Sequence, residues 1–476
     1  MKNFRFFLRA ICIACWFILP LAASAEELPD PRTLTSIPLK FVVPQAERVL
    51  LDNGMVVYMM EDHELPQISI SALIGTGSVY EPESKVGLAG LAGAVMRSGG
   101  TTSISPEKMD DELEFMASTI ESGIGADVGN VTMSTLTRNL DRTLQLFSQV
   151  LMAPAFREDK VELAQKHTIE SLRRQNDDPK GIADRELGKA IYRGTPLGRV
   201  PTFATVRAIT RDDMVGFHKK YYHPNKVILS VAGDFNVREM AAALNRVFAG
   251  WKRGPVEFPS IKEPGTEFRP EVLHAQKDVN QSVIRMGHIG IVKDNPDMYA
   301  IRVMDAILGS GGFNSRLMAE VRNSQGLAYN VESSFEIGRR YLGTFTAETE
   351  TKAESTARTI ALMEEIIAGM TKKPVTDQEL QLAKDSIINS FIFGFTSTAT
   401  VVNQKARLEY YRYPAGYLEN YRDNLARVTK EDVLRVARKY LHPEALKLVV
   451  VGDAKRLDKP LSTFGKVEEI RLEKEE

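Results

Sequence analysis

Residues 209–234 and 428–453 of this chain align without a gap at an offset of 219 residues, and ten of the 26 positions are identical. A match of that length within one polypeptide points to duplication of a domain, so the fold must accommodate two copies of one unit. Each copy has a readable plan. Thr210 and Thr429 stand where a helix N-terminus needs a side-chain acceptor, and Asp213 and Asp432, three residues on, complete a capping box. The predicted helix stops before His223-Pro224 in one copy and His442-Pro443 in the other, because proline restricts the residue ahead of it. A β-rich run then leads to Gly233-Asp234 and Gly452-Asp453.

The length of 476 residues agrees with duplication, since it exceeds one core and fits two domains of about 200 residues. In the first half, residues 47–60 read as a hairpin turning at Asn53-Gly54, and Ser69–Gly75 as a following strand. Ser105-Pro106 opens a helix whose apolar positions Met109, Leu113, Met116 and Ile120 share one face, after which Val131, Met133 and Thr135 alternate as in a strand. Strands and helices are mixed, which predicts an α+β class with helices covering one face of each sheet. Residues 253–270 contain four prolines and no helical period, so they read as a linker between domains at 40–252 and 271–456. Residues 457–476 read as a tail that frays after Gly465.

Lys2, Arg5 and Arg9 precede an apolar run closed by Ala23-Ser24-Ala25, the pattern of an export signal cleaved near Ala25. The run is too short for a comfortable membrane span, and no later stretch reaches about 18 apolar residues. The expected product is therefore exported to the periplasm, without stable membrane insertion. Both cysteines lie inside the signal, so the mature chain has neither a disulfide framework nor a thiol nucleophile. A net charge of -1 and no long basic run argue against nucleic acid. The seven histidines form neither H-x-x-x-H nor H-x-H and read as structural, and no G-x-S-x-G elbow is present.

The segment Val86-Gly-Leu-Ala-Gly90-Leu-Ala-Gly93-Ala94-Val-Met-Arg-Ser-Gly-Gly-Thr101 resembles the zinc helix of the pitrilysin-type (M16) metallopeptidases, G-L-A-H-x-x-E-H followed by an apolar pair and G-T. In this sequence the histidine positions are Gly90 and Ala94, and the glutamate position is Gly93. Zinc needs imidazole or carboxylate donors at about 2 Å and a carboxylate to take a proton from bound water. Glycine and alanine supply neither. The resemblance places the third ligand at Ser171, where the family has a Glu-Glu pair; Glu170 survives, but one residue earlier on a helix points about 100° away. Gly90 and Gly93 each cost about 1 kcal/mol inside a helix and read as positions of close helix packing.

A second resemblance lies in Leu308-Gly309-Ser-Gly311-Gly312-Phe-Asn314-Ser315-Arg316-Leu-Met-Ala-Glu-Val-Arg322-Asn-Ser-Gln-Gly-Leu-Ala-Tyr329. It looks like the family's second signature, whose arginine and tyrosine face the zinc across the cleft; these carry over to Arg322 and Tyr329. A guanidinium and a phenol can hold a peptide carbonyl or stabilise an oxyanion, but provide no nucleophile. Gly309, Gly311 and Gly312, with Asn314, Ser315 and Arg316, form a tight turn before a helix start and are expected to contact substrate.

The resemblance implies two homologous α/β-sandwich domains of the M16 type, each a mixed, mainly antiparallel sheet with helices, together half of a clamshell. It further implies a non-catalytic subunit that assists a partner carrying H-x-x-E-H and zinc, acting on peptides, with no metal in this chain. The alternative is a proteolytically inert peptide-binding or scaffold protein of the same fold. A third possibility is a hydrolase with a relocated metal site.

Overall fold

The hairpin expected at Asn53-Gly54 opens the first of two six-stranded sheets. In the computed structural model, which describes residues 41–265 and 268–472, β1 (Glu47–Leu50) and β2 (Val56–Glu61) pair antiparallel across that turn. The export segment expected at residues 1–25 lies outside the described residues. With β3 (Gln67–Ile74), β4 (Thr119–Ile124), β5 (Gly129–Leu136) and β6 (Val227–Gly233), the first sheet has the order β1-β2-β6-β3-β5-β4.

The second half supplies β7 (Glu271–Gln276), β8 (Gln281–Ile289), a short β9 (Ile291–Val292), β10 (Ala328–Phe335), a short β11 (Ile337–Gly338), β12 (Thr344–Lys352), β13 (Lys447–Gly452) and β14 (Val467–Glu469). Its sheet runs β10-β12-β8-β13-β7-β14, while β9 and β11 form a separate parallel pair. The duplication is visible in the ladders. Each sheet has an internal parallel pair, β2 with β6 and β7 with β13, and continues antiparallel on one side of it, from β6 to β3 and from β13 to β8. The repeat's helices, Arg211–Tyr221 and Lys430–Tyr440, both begin with the expected capping box, from Thr210 with Asp213 and from Thr429 with Asp432.

Helices cover both faces of each sheet, not one as expected, and the second cover is exchanged between the halves. Helix Pro179–Ile191 of the first half lays Ile182, Ala183 and Leu187 on Leu273, Val283 and Val449 of the second sheet. Helix Thr398–Tyr410, at the same 219-residue offset, buries Val401, Val402 and Ala406 as it packs on the first sheet. Polar contacts fasten both exchanges. Arg285 Nε lies 2.6 Å from Asp184, and Lys180 Nζ 2.6 Å from Glu350. On the other side, Arg48 forks onto Glu409 at 2.8 and 2.7 Å and Ser230 donates to Asn403 at 2.6 Å. Cover on both faces explains why β13 reads as an unbroken apolar run, Leu448 to Val451. The described residues from Val42 onward accordingly form one compact unit.

Two further expectations are corrected. The helix begun at Ser105-Pro106 ends at Phe115, Met116 is its C-cap, and Ile120 belongs to β4, opposite Met133. The apolar spacing had run one helical face into a strand, across a left-handed turn at Ala117 (φ 48°). Residues 467–469 do not fray after Gly465: β14 adds to β7 in parallel, and Glu469 reaches the buried His274 ring at 2.9 Å.

Candidate functional site

The helix carrying the metal-ligand positions, Leu88–Ser98, is set by a carboxylate that lies seven residues ahead of it. Glu81 accepts from the N–H of Gly87 and of Leu88 (2.8 Å), closing the orphan donors of the first turn. Burial pushes its carboxyl up to about 7, while the N–H groups of Gly87, Leu88 and Ala89 pull the other way.

The two glycines of this helix behave differently. At Gly93 an added Cβ would lie 2.5 Å from the Ile124 nitrogen and 2.8 Å from the Gly123 carbonyl carbon, so the helix rests directly on the backbone of β4. Ser122, also in β4, donates its hydroxyl to the Gly93 carbonyl at 2.6 Å and accepts the Arg97 N–H at 3.2 Å, entering the helical ladder between them. The direction a glutamate at 93 would take is filled by main chain. Gly90 is exposed with nothing within 4 Å of a Cβ, so the close-packing expectation is corrected there. Ala94 and Ser171 are exposed as well, and Glu170 is held by Arg173 at 3.0 Å and Arg174 at 2.9 Å. These residues do not fit a zinc ion. Among the described residues no group of three His, Cys, Asp or Glu gathers to hold any metal. Two of the histidines sit in packing roles: burial pulls His218 and His288 down to about 4, and His218 stacks on Tyr222 with ring centroids 4.5 Å apart.

In the second half the structure brings Arg322 and Tyr329 together, with a third residue that sequence reasoning passed over. The guanidinium carbon lies 4.8 Å from the Tyr329 ring centroid and 4.7 Å from that of Phe313, a cation between two aromatic faces. Both rings are open to solvent, Tyr329 at 85% and Phe313 at 65% exposure. Phe313 directly follows the glycine turn, and its spacing of four and eight residues ahead of the core residues Leu317 and Val321 made it look like one more buried position. The arginine comes from a π-helical segment, Met318–Ser324, and the tyrosine from the outermost strand, β10, beside a bulge between Ala328 and Val331. Asp305, buried and with its carboxyl pushed up by desolvation, accepts from the Ser333 hydroxyl at 2.6 Å and the Phe335 N–H at 3.0 Å, pinning that strand.

The other signature residues divide between frame and surface, which corrects the expectation that all six meet substrate. Arg316 makes a two-pronged pair with Glu379 at 2.7 and 3.0 Å. Ser315 is fully buried and donates to the Gly312 carbonyl at 2.7 Å. A Cβ at Gly309 would meet the Ser333 nitrogen at 2.2 Å, and one at Gly311 the Ala306 carbonyl oxygen at 2.3 Å. Only Gly312 and Asn314 stand exposed near the Arg322 stack.

The family described as Insulinase (Peptidase family M16) matches residues 56–203, and the one described as Peptidase M16 inactive domain matches residues 208–387. The chain belongs to peptidase family M16. Among its M16 relatives is the non-peptidase homolog YmxG of Helicobacter pylori, 22% identical over 83% of this chain and 91% of that protein. An uncharacterized zinc protease of Mycobacterium leprae is 26% identical over 64% of this chain and 69% of its own length. Among solved structures, a peptidase M16 inactive domain from Pseudomonas fluorescens superposes with a TM-score of 0.79 at 26% identity, covering 88% of this chain and all of that one. The periplasmic protease PqqL from Escherichia coli shares the fold at a TM-score of 0.72 and 15% identity, with 88% of this chain matching 47% of PqqL.

Proposed function

We propose that this chain is the non-catalytic subunit of a heterodimeric M16 zinc peptidase in the periplasm, gripping peptide substrate and lending Arg322 and Tyr329 to the zinc site of a partner with H-x-x-E-H. One observation carries the reading: the position of the catalytic base is packed against β4 at Gly93, while the arginine and tyrosine are held together and face solvent. A cation stacked between two rings keeps its N–H groups aimed outward, where a peptide carbonyl or a developing oxyanion can accept them. The apolar run of residues 10–23 and the Ala23-Ser24-Ala25 site support export.

The test mixes this chain with an H-x-x-E-H paralogue of the same source and follows cleavage of a fluorogenic peptide. Cleavage should rise on mixing and fall with Tyr329→Phe, which keeps the ring and removes the hydroxyl. Equal cleavage with and without this chain overturns the proposal.

A second reading, an inert peptide-binding protein, draws support from Phe313, which adds apolar grip beside Arg322 but no catalytic donor. It predicts peptide binding that survives Tyr329→Phe and is lost with Arg322→Ala.

A further inference from the structure

Between the two halves lies a cavity of about 730 Å³ that the peptide-gripping residues do not line. The small β9/β11 pair helps to build it, because Lys293 and Asp294 follow β9 and Arg339 and Arg340 follow β11. The exchanged helix Thr398–Tyr410 ends in it with Tyr410, Tyr411 and Arg412, and the first half adds Tyr80, Lys226 and Phe258.

The charges around this space do not cancel. Its two carboxylates already have partners: Asp294 has Lys293 at 2.6 Å, and Glu409 has Arg48 at 2.7 Å and the Tyr58 hydroxyl at 2.6 Å. Arg340 donates to the Tyr80 hydroxyl at 3.1 Å and lies 4.0 Å from Asp127. Lys226, Arg339 and Arg412 remain, and among the described residues none of them has a carboxylate within ion-pair distance. Arg412 holds φ at 55°, a left-handed conformation that favours glycine. Its N–H is bonded to the Glu409 carbonyl at 3.0 Å, and its own carbonyl accepts from Lys293 at 3.3 Å.

The aromatic walls at Tyr410 and Tyr411 are fixed through their hydroxyls, and the Arg339 guanidinium carbon lies 5.4 Å from the Tyr411 ring centroid, so that cation and ring line the cavity as a stacked pair. Tyr410 donates to the Asp127 carbonyl at 2.7 Å and Tyr411 to the Asp127 carboxylate at 3.1 Å. Tyr80 leans on Phe258 with centroids 5.1 Å apart. The volume lies within the range of about 300–1,000 Å³ that small-molecule clefts occupy, well above the needs of a bare inorganic ion.

We propose that this cavity binds a small organic anion built on a ring, a carboxylate or phosphate carried by an aromatic group, with Lys226, Arg339 and Arg412 taking the charge and Tyr80 and Phe258 the ring. Because the lining comes from both halves, such a ligand ties them together and raises the melting temperature.

Titration calorimetry and thermal melting of the full chain test this with four probes: N-acetyl-L-tyrosine, its neutral amide, AMP and inorganic phosphate. At least one ring-bearing anion should bind and raise the melting temperature, with the amide and inorganic phosphate weaker by about tenfold or more. Tighter binding of N-acetyl-L-tyrosine assigns a carboxylate and of AMP a phosphate; either upholds the proposal. Arg339→Gln with Arg412→Gln, and separately Lys226→Gln, should weaken the anion by about tenfold or more while the ligand-free chain melts as a single cooperative unit. Failure of both ring-bearing anions to bind at millimolar concentration, binding of the amide as tight as that of the acid, or unchanged affinity in the variants overturns it.

Discussion

The Ser122 hydroxyl donates to the Gly93 carbonyl at 2.6 Å, fastening strand β4 to the helix at the residue from which an M16 peptidase would project its general base. Loss of the metal site is therefore a matter of packing as well as composition, and the two glycines of that helix have opposite sensitivities.

Gly93→Ala should destabilise the chain by about 1–3 kcal/mol, because the new methyl meets the main chain of Gly123 and Ile124 and overpacking outweighs the helix-propensity gain. Gly90→Ala, in open space on the same helix, should stabilise by about 0.5–1 kcal/mol. Urea denaturation of the two single variants gives the comparison, and changes of the same sign would refute it.

Restoring donors at the exposed positions is expected to be tolerated. Gly90→His, Ala94→His and Ser171→Glu together should give a folded chain that takes up zinc, since the two histidines are one helical turn apart on one face. Adding Gly93→Glu should lower folded yield and melting temperature. Metal analysis after dialysis and a thermal melt report both outcomes.

Glu81 makes stability depend on pH in a defined direction. Its folded carboxyl, at about 7, holds a proton that the unfolded chain releases at its ordinary value of 4.5, so its contribution is full below 4.5 and declines as pH rises towards 7. Glu81→Gln removes this dependence. The stability difference between wild type and variant, from urea melts across that window, should fall with rising pH; a constant difference would count against the assignment.

Ile182 is fully buried where the first half's helix meets the second sheet. Ile182→Ala should cost about 2–5 kcal/mol and, although the substitution lies in the first half, speed hydrogen exchange at Val449 and Val451 in the second. Unchanged exchange at those strand positions would contradict the exchange of helices.

What the sequence made legible was local. Thr210 with Asp213 and Thr429 with Asp432 announce their helices because a capping box closes within four residues. Asn53-Gly54 likewise carries its own turn geometry. Arg322 and Tyr329 were legible as a pair only through the signature around them. What stayed hidden depends on distant partners. Nothing in Pro179–Ile191 states which sheet it covers, and Ser122 meets Gly93 across 29 residues. Arg316 and Arg322 look alike in one signature; only Glu379, 63 residues away, makes the first a strut and leaves the second to its aromatic neighbours. Ile120 was misplaced because helical and strand spacings coincide over a few apolar residues.

The traded helices have a mechanical consequence. Each half wears a roof delivered by the other, so prising the halves apart would strip two hydrophobic interfaces in one step. A molecule built this way resists flexing about its own middle. Neither half is expected to survive as an independent fragment.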